Sequence, residues 1–228
     1  MVTEPSNKNF LIQMIAHLMD ENMDLSIDYM EMGLDYFLSD GILKDIPLIG
    51  TGWKLGQNIM TIRNSITARN YWVFISELRK DKVTAEKLEK HIAQLNSNPQ
   101  QAKKELEMLL IYIDRYNEVK KAQYLANIYR CFLNQSVAGI DWETATAFFE
   151  ILDRILLQDL SALKTVCTYG THKEYFNEHS SLLRLSALGL LQYFNGKEEA
   201  YGHNKIGVAR LTVSGKAFYR TITTGSLI

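Results

Sequence analysis

Apolar residues recur at steps of three and four along most of the chain, from Phe10 to Val166. That period restricts this stretch to amphipathic helices that must bury one face on each other. Ser6 can cap a first helix carrying Phe10, Leu11, Met14, Ile15 and Leu18. A second, with Leu25, Tyr29, Met32, Tyr36 and Phe37, stops at Asp40-Gly41. Further helices are expected over residues 68–80 and after Thr84, the latter with Leu88, His91, Ile92 and Leu95 on one face. Asn96-Ser97-Asn98-Pro99 punctuates the pattern as a linker. The helical period then resumes at Leu106 to Ile113 and at Val119 to Leu133. Asp141 can cap a helix with Phe148, Phe149, Leu152, Ile155 and Leu156, which Leu160, Leu163 and Val166 continue. No internal repeat is present.

The pattern changes after Gly170. Ser180 or Ser181 can cap a short helix, Leu182–Leu188, which Gly189 stops. Leu190–Phe194 reads as a strand, Asn195–Asn204 as a polar loop and Val208–Leu211 as the returning strand. Thr212 and Ser214 can start a last helix with Ala217, Phe218 and Ile222 on its buried side. The expected fold is therefore mostly α: a helical domain over 1–168, then a small α/β unit over 169–228 built on a two-stranded hairpin.

Two phrases in that unit are Leu185-Ser186-Ala187-Leu188-Gly189-Leu190-Leu191 and Leu211-Thr212-Val213-Ser214-Gly215-Lys216-Ala217-Phe218. They resemble the L-x-x-L-G-L-L and L-T-x-x-G-x-x-F ending of many bacterial winged-helix domains. They also resemble the C-terminus of uncharacterised bacterial proteins grouped near the abortive-infection (Abi-alpha-like) families. The resemblance covers about the last fifty residues and brings no catalytic residue with it. It implies a winged-helix-like unit, and phage defence as a setting by analogy of fold alone.

A winged helix that reads DNA lays one helix in the major groove and sets the wing's cations on phosphates. Here Arg184 is the cation of the reading helix, while Lys197, Lys205 and Arg210, with His203, are those of the wing. Glu198 and Glu199 oppose them. That is a thin phosphate footprint, because each phosphate contact needs its own cation.

The formal net charge is −1, but it is unevenly spread. Residues 1–50 hold nine acids and two bases, residues 51–100 eight bases and four acids, and residues 151–228 nine bases and six acids. Asp24, Asp28, Glu31 and Asp35 form one stripe of the second helix, a candidate partner face. Either this acidic quarter lies against basic helices of the same chain, or the surface is polarised toward a charged partner.

Ile46, Pro47, Gly50 and Trp53 open the most unusual stretch, residues 46–66. Its expected form is a tight turn into a buried helix; the functional alternative is a membrane-active segment. Lys44, Asp45, Lys54 and Arg63 oppose stable spanning. Its glycines match neither a dinucleotide fingerprint nor a phosphate loop. Met1-Val2-Thr3-Glu4-Pro5 lacks a basic region followed by an apolar one, so a cytoplasmic location is expected.

No catalytic motif or cofactor signature stands out. Cys131 and Cys167 sit in apolar helical contexts and read as reduced, buried thiols. Cys167, His172 and His179 fall in one short stretch but match no zinc spacing. His17 and His91 lie on apolar faces, as core histidines do. No G-x-S-x-G elbow or H-E-x-x-H pair occurs. The expected function is that of a non-enzymatic interaction or regulatory protein of the bacterial cytoplasm, acting through contacts with another protein or itself. The alternatives are a DNA-binding regulator and a membrane-active effector. No cofactor, metal or small-molecule substrate is expected.

Overall fold

A computed structural model describes residues 62–80, 83–134, 140–169, 171–174, 179–198 and 205–224. The expected first two helices, the acidic stripe and most of residues 46–66 lie outside the described residues. Among the described residues five helices form the body: α1 (Ile62–Lys80), α2 (Ala85–Ser97), α3 (Pro99–Arg115), α4 (Val119–Asn134) and α5 (Trp142–Arg154). A 3-10 turn at Leu157–Asp159 leads to α6 (Leu160–Tyr169). The rest is β1 (Thr171–Glu174), α7 (His179–Ala187), β2 (Leu191–Glu198), β3 (Lys205–Leu211) and α8 (Val213–Thr224).

Local chemistry sets the breaks. The expected linker at 96–99 is a one-residue corner. Asn98 closes α2, and its Oδ1 accepts from the Gln101 amide at 3.2 Å to open α3. Pro99 takes the first helical position, where its missing N–H costs nothing. Asp141 caps α5 as expected, Oδ1 accepting from the Thr144 amide at 2.8 Å. The helix expected to run on through Leu160 instead stops at Arg154. Ile155 and Leu156 are extended, and the 3-10 turn then swings Asp159 inward.

The core is formed where α4 packs on α1, α2, α5 and α8. Phe74, Tyr129, Phe132, Trp142, Phe149 and Tyr112 make a chain of tilted and edge-on ring contacts with centroids 5.1 to 6.1 Å apart. Leu182, Leu185, Leu190, Phe218 and Ile222 of the C-terminal unit belong to the same continuous apolar interior. The Phe148 and Phe218 rings meet edge-on at 5.5 Å across the expected boundary at residue 168. Arg130 is buried in this interior. Its Nη1 donates to the Glu77 carbonyl of α1 at 2.8 Å, and its Nη2 to Asn127 Oδ1 at 2.6 Å. Asn127 Nδ2 in turn donates to the Ile222 carbonyl of α8 at 2.7 Å.

The expected two-stranded hairpin, β2–β3, is present, and among the described residues a third strand accompanies it. β1 joins the β2–β3 hairpin, and the antiparallel order is β1-β3-β2. Thr171-His172-Lys173-Glu174 has no apolar alternation, so its strand state comes from pairing with β3 and not from its own sequence. Two glycines fix the corner that joins helix to sheet. Gly189 ends α7 at φ 72°, and the amides of Gly189 and Leu190 donate back to the carbonyls of Ser186 and Leu185 at 2.9 and 3.0 Å. Gly215 lies under the Leu190 carbonyl, where an added Cβ would sit 2.0 Å from that oxygen. Thr212 fastens the two parts: its Oγ1 accepts from the Gly215 amide at 2.8 Å, and its amide donates to the Leu190 carbonyl at 3.1 Å.

This geometry separates two otherwise similar substitutions. Gly189→Ala meets no atom and costs only the left-handed backbone, about 1–2 kcal/mol. Gly215→Ala forces α8 off the strand and is expected to cost more, about 3 kcal/mol. Urea unfolding of both variants checks the order.

Candidate functional site

The C-terminal unit carries the sequence-derived site residues that lie among the described ones. α7 is placed by burial of Leu182 and Leu185, which leaves Ser181 and Arg184 on one flank and Leu183 on another. Arg184 is turned against its own protein. Its Nε donates to Asp159 Oδ2 at 2.8 Å and its Nη2 to Asp159 Oδ1 at 2.6 Å, a two-pronged pair. Ser181 Oγ adds a third bond to Asp159 Oδ1 at 2.7 Å. Asp159 is buried while Arg184 stays partly exposed. Burial alone would raise the Asp159 carboxyl. The hydrogen bonds from Arg184 and Ser181, with the Arg184 charge, outweigh it and hold that carboxyl below its usual range. The expected reading-helix cation is thus committed to an internal ion pair. Asp159 escaped sequence reasoning, and Ser181 entered it only as a candidate helix cap; the signal for Asp159 was an acid set among the apolar residues of Ile155–Val166.

The wing residues are distributed differently. Arg210 is exposed on β3, in register with Thr171 and Gln192. Lys197 lies in β2, and Lys205 opens β3 opposite Glu198; their side chains are outside the described residues, as is all of His203. The inward sheet face holds Leu191 and Ala209, whereas Gln192, Phe194 and Arg210 face outward. Phe194 is 52% exposed, Leu183 on α7 45% and Val213 at the start of α8 89%. These three fall on α7, β2 and α8 of one small unit. Tyr169 and Leu156 are also exposed near its start, and on α1–α5 the large exposed apolar residue among those described is Ile111.

A second polar group lies inside the body. His91 Nε2 of α2 is 2.7 Å from Glu105 Oε1 of α3, and the Tyr129 hydroxyl of α4 donates to the same oxygen at 2.5 Å. All three side chains are buried, and the His91 ring stands edge-on to Phe132 at 5.4 Å. Burial, then the charge and hydrogen bond of Glu105, push the Tyr129 hydroxyl well above its ordinary range. Sealed from solvent, these groups fasten three helices. The period placed His91 on a buried face, but nothing local signalled its partners.

The remaining residues are scattered. Cys131 is a buried free thiol and Cys167 a half-buried one, which burial pushes up to about 11, away from thiolate chemistry. His172 lies in β1 and His179 opens α7. No group of metal-ligating side chains occurs among the described residues. Asp24, Asp28, Glu31 and Asp35, and Ile46, Pro47, Gly50 and Trp53, lie outside them. No described helix is long and apolar enough to cross a membrane. The chain matches no protein-family model, no curated protein and no solved structure.

The Asp159 pair sets a pH dependence. A carboxyl held below its unfolded value stabilises the fold above the ordinary carboxylate range, near pH 4, and loses that contribution as pH falls through the folded value. Asp159→Asn is therefore expected to lose about 2 kcal/mol at pH 7. The gap to the unaltered protein should close at lower pH, as measured by urea unfolding at pH 7 and pH 3.5.

Proposed function

We propose that this chain is a non-catalytic interaction protein whose C-terminal unit, winged-helix-like in organisation, binds another protein rather than DNA. The observation that carries this reading is the state of α7. Its one cation is bound to Asp159, and the large residue it offers to solvent is Leu183. A DNA-reading helix needs free donors for base edges and phosphates. An apolar set such as Leu183, Phe194 and Val213 suits the centre of a protein interface, which is poor in charge. A bacterial setting in phage defence is part of the same proposal and rests on the C-terminal phrases; the cytoplasmic location rests on the character of Met1–Pro5.

Two measurements test it. Labelled duplex DNA titrated at low salt is expected to show no anisotropy change. Binding that falls steeply with salt and weakens on Arg210→Ala would instead make the unit a DNA reader. A photo-crosslinking residue placed at 194 in living cells should give a discrete protein adduct that Leu183→Glu removes, while the same residue at 103 on α3 gives none. Equal labelling at both positions would sink the protein-contact reading.

A further inference from the structure

Helix α1 is buried on two opposite sides. Tyr71, Phe74, Ile75 and Leu78 belong to the continuous core, and the helix packs on α3 and α4. At 3.6 residues per turn, Arg69, Trp72, Val73 and Ser76 form a second stripe about half a turn away. Trp72 is 6% exposed, Val73 1% and Ser76 3%, yet neither Trp72 nor Val73 belongs to that core. Three donors run along the stripe: Arg69 Nε, Trp72 Nε1 and Ser76 Oγ. All are buried and find no acceptor among the described residues. Among the described residues Arg69 reaches the Asn117 carbonyl, through Nη2 at 3.3 Å, and no described carboxylate pairs with it. Burial also lowers its guanidinium below the usual range. A helix buried on every side over residues 70–76, with a row of unmet donors on one side, is waiting for acceptors.

We propose that the Arg69–Trp72–Val73–Ser76 stripe of α1 is the docking site for residues 24–37 of this same chain, with Asp24, Asp28, Glu31 and Asp35 supplying the acceptors. The stripe is buried within one chain, so its cover comes from that chain, and residues 1–61 directly precede α1. Charge complements this placement: nine acids and two bases over residues 1–50 meet eight bases and four acids over residues 51–100. The patterns match as well. Leu25, Tyr29, Met32 and Tyr36 each follow an acid of the stripe by one position, so an apolar row runs beside the acidic row. The apolar row suits Trp72 and Val73; the acidic row suits Arg69 and its neighbours. This surface is separate from the C-terminal one and stands without it.

The test uses the full chain with Arg69→Lys, mixed equally with the same chain labelled with nitrogen-15. A zero-length carbodiimide joins an amine to a touching carboxylate as an amide, with loss of water. Peptide mass spectrometry should find position 69 linked to one of the four acids, without isotope mixing. The link should vanish when the four are changed by Asp24→Asn, Asp28→Asn, Glu31→Gln and Asp35→Asn. Isotope-mixed links would assign the stripe to a second copy. Links elsewhere, or none, would overturn the proposal. A second reading leaves Arg69 in place: with Trp53→Phe and Trp142→Phe, acrylamide quenching of Trp72 should rise severalfold when the four acids are neutralised. Unchanged quenching would refute the docking.

Discussion

The buried guanidinium of Arg130 is the constraint around which the rest is arranged. Its Nη1 donates to the Glu77 carbonyl and its Nη2 to Asn127 Oδ1. Glu77 lies in the last turn of α1, and Ile222, reached through Asn127, in the last turn of α8. Helix ends of this kind offer unpaired carbonyls and the negative pole of the helix dipole. The cation meets the α1 terminus directly and the α8 terminus through Asn127, and so ties α1, α4 and α8 to one point. Any shift of α8 would strip Asn127 of its acceptor and loosen Arg130, so the C-terminal unit cannot move freely against the helical body.

The two interior polar groups work by the same rule. Glu105 gathers His91 and Tyr129 onto one oxygen, and Asp159 gathers Arg184 and Ser181. In each case a buried carboxylate is met by donors from other elements, because a charge left unpaired in the interior would be very costly. Apolar packing brings the helices together with some freedom of slide. Directional bonds to a fixed carboxylate remove that freedom.

What could be read in advance follows from this division. Periodicity located α4, Asp141 located the start of α5, and Gly189 and Thr212 located the helix–strand corner, because each acts through neighbours a few residues away. β1 was invisible, since its pairing with β3 joins residues such as His172 and Ala209 that have no local signature. The break at Leu157–Asp159 was hidden for the same reason: the apolar period continues through it, and the partner that pulls Asp159 inward lies 25 residues further on. Arg184 was legible as a cation but not as an engaged one. The exposed set of Leu183, Phe194 and Val213 became visible only once burial had sorted the leucines of α7 into inner and outer ones.

The bond from Asn127 to Ile222 spans 95 residues, and this has a consequence for biosynthesis. During translation α4 emerges long before its partner exists. Until the chain has been made as far as α8, Asn127 and Arg130 sit beside an open groove that Phe218 and Ile222 will later fill. Long-range closure of this sort slows folding and leaves apolar surface uncovered meanwhile. The nascent protein therefore passes through a stage in which its helices exist but its interior is unsealed, and that interval is when a chaperone would find the most to hold.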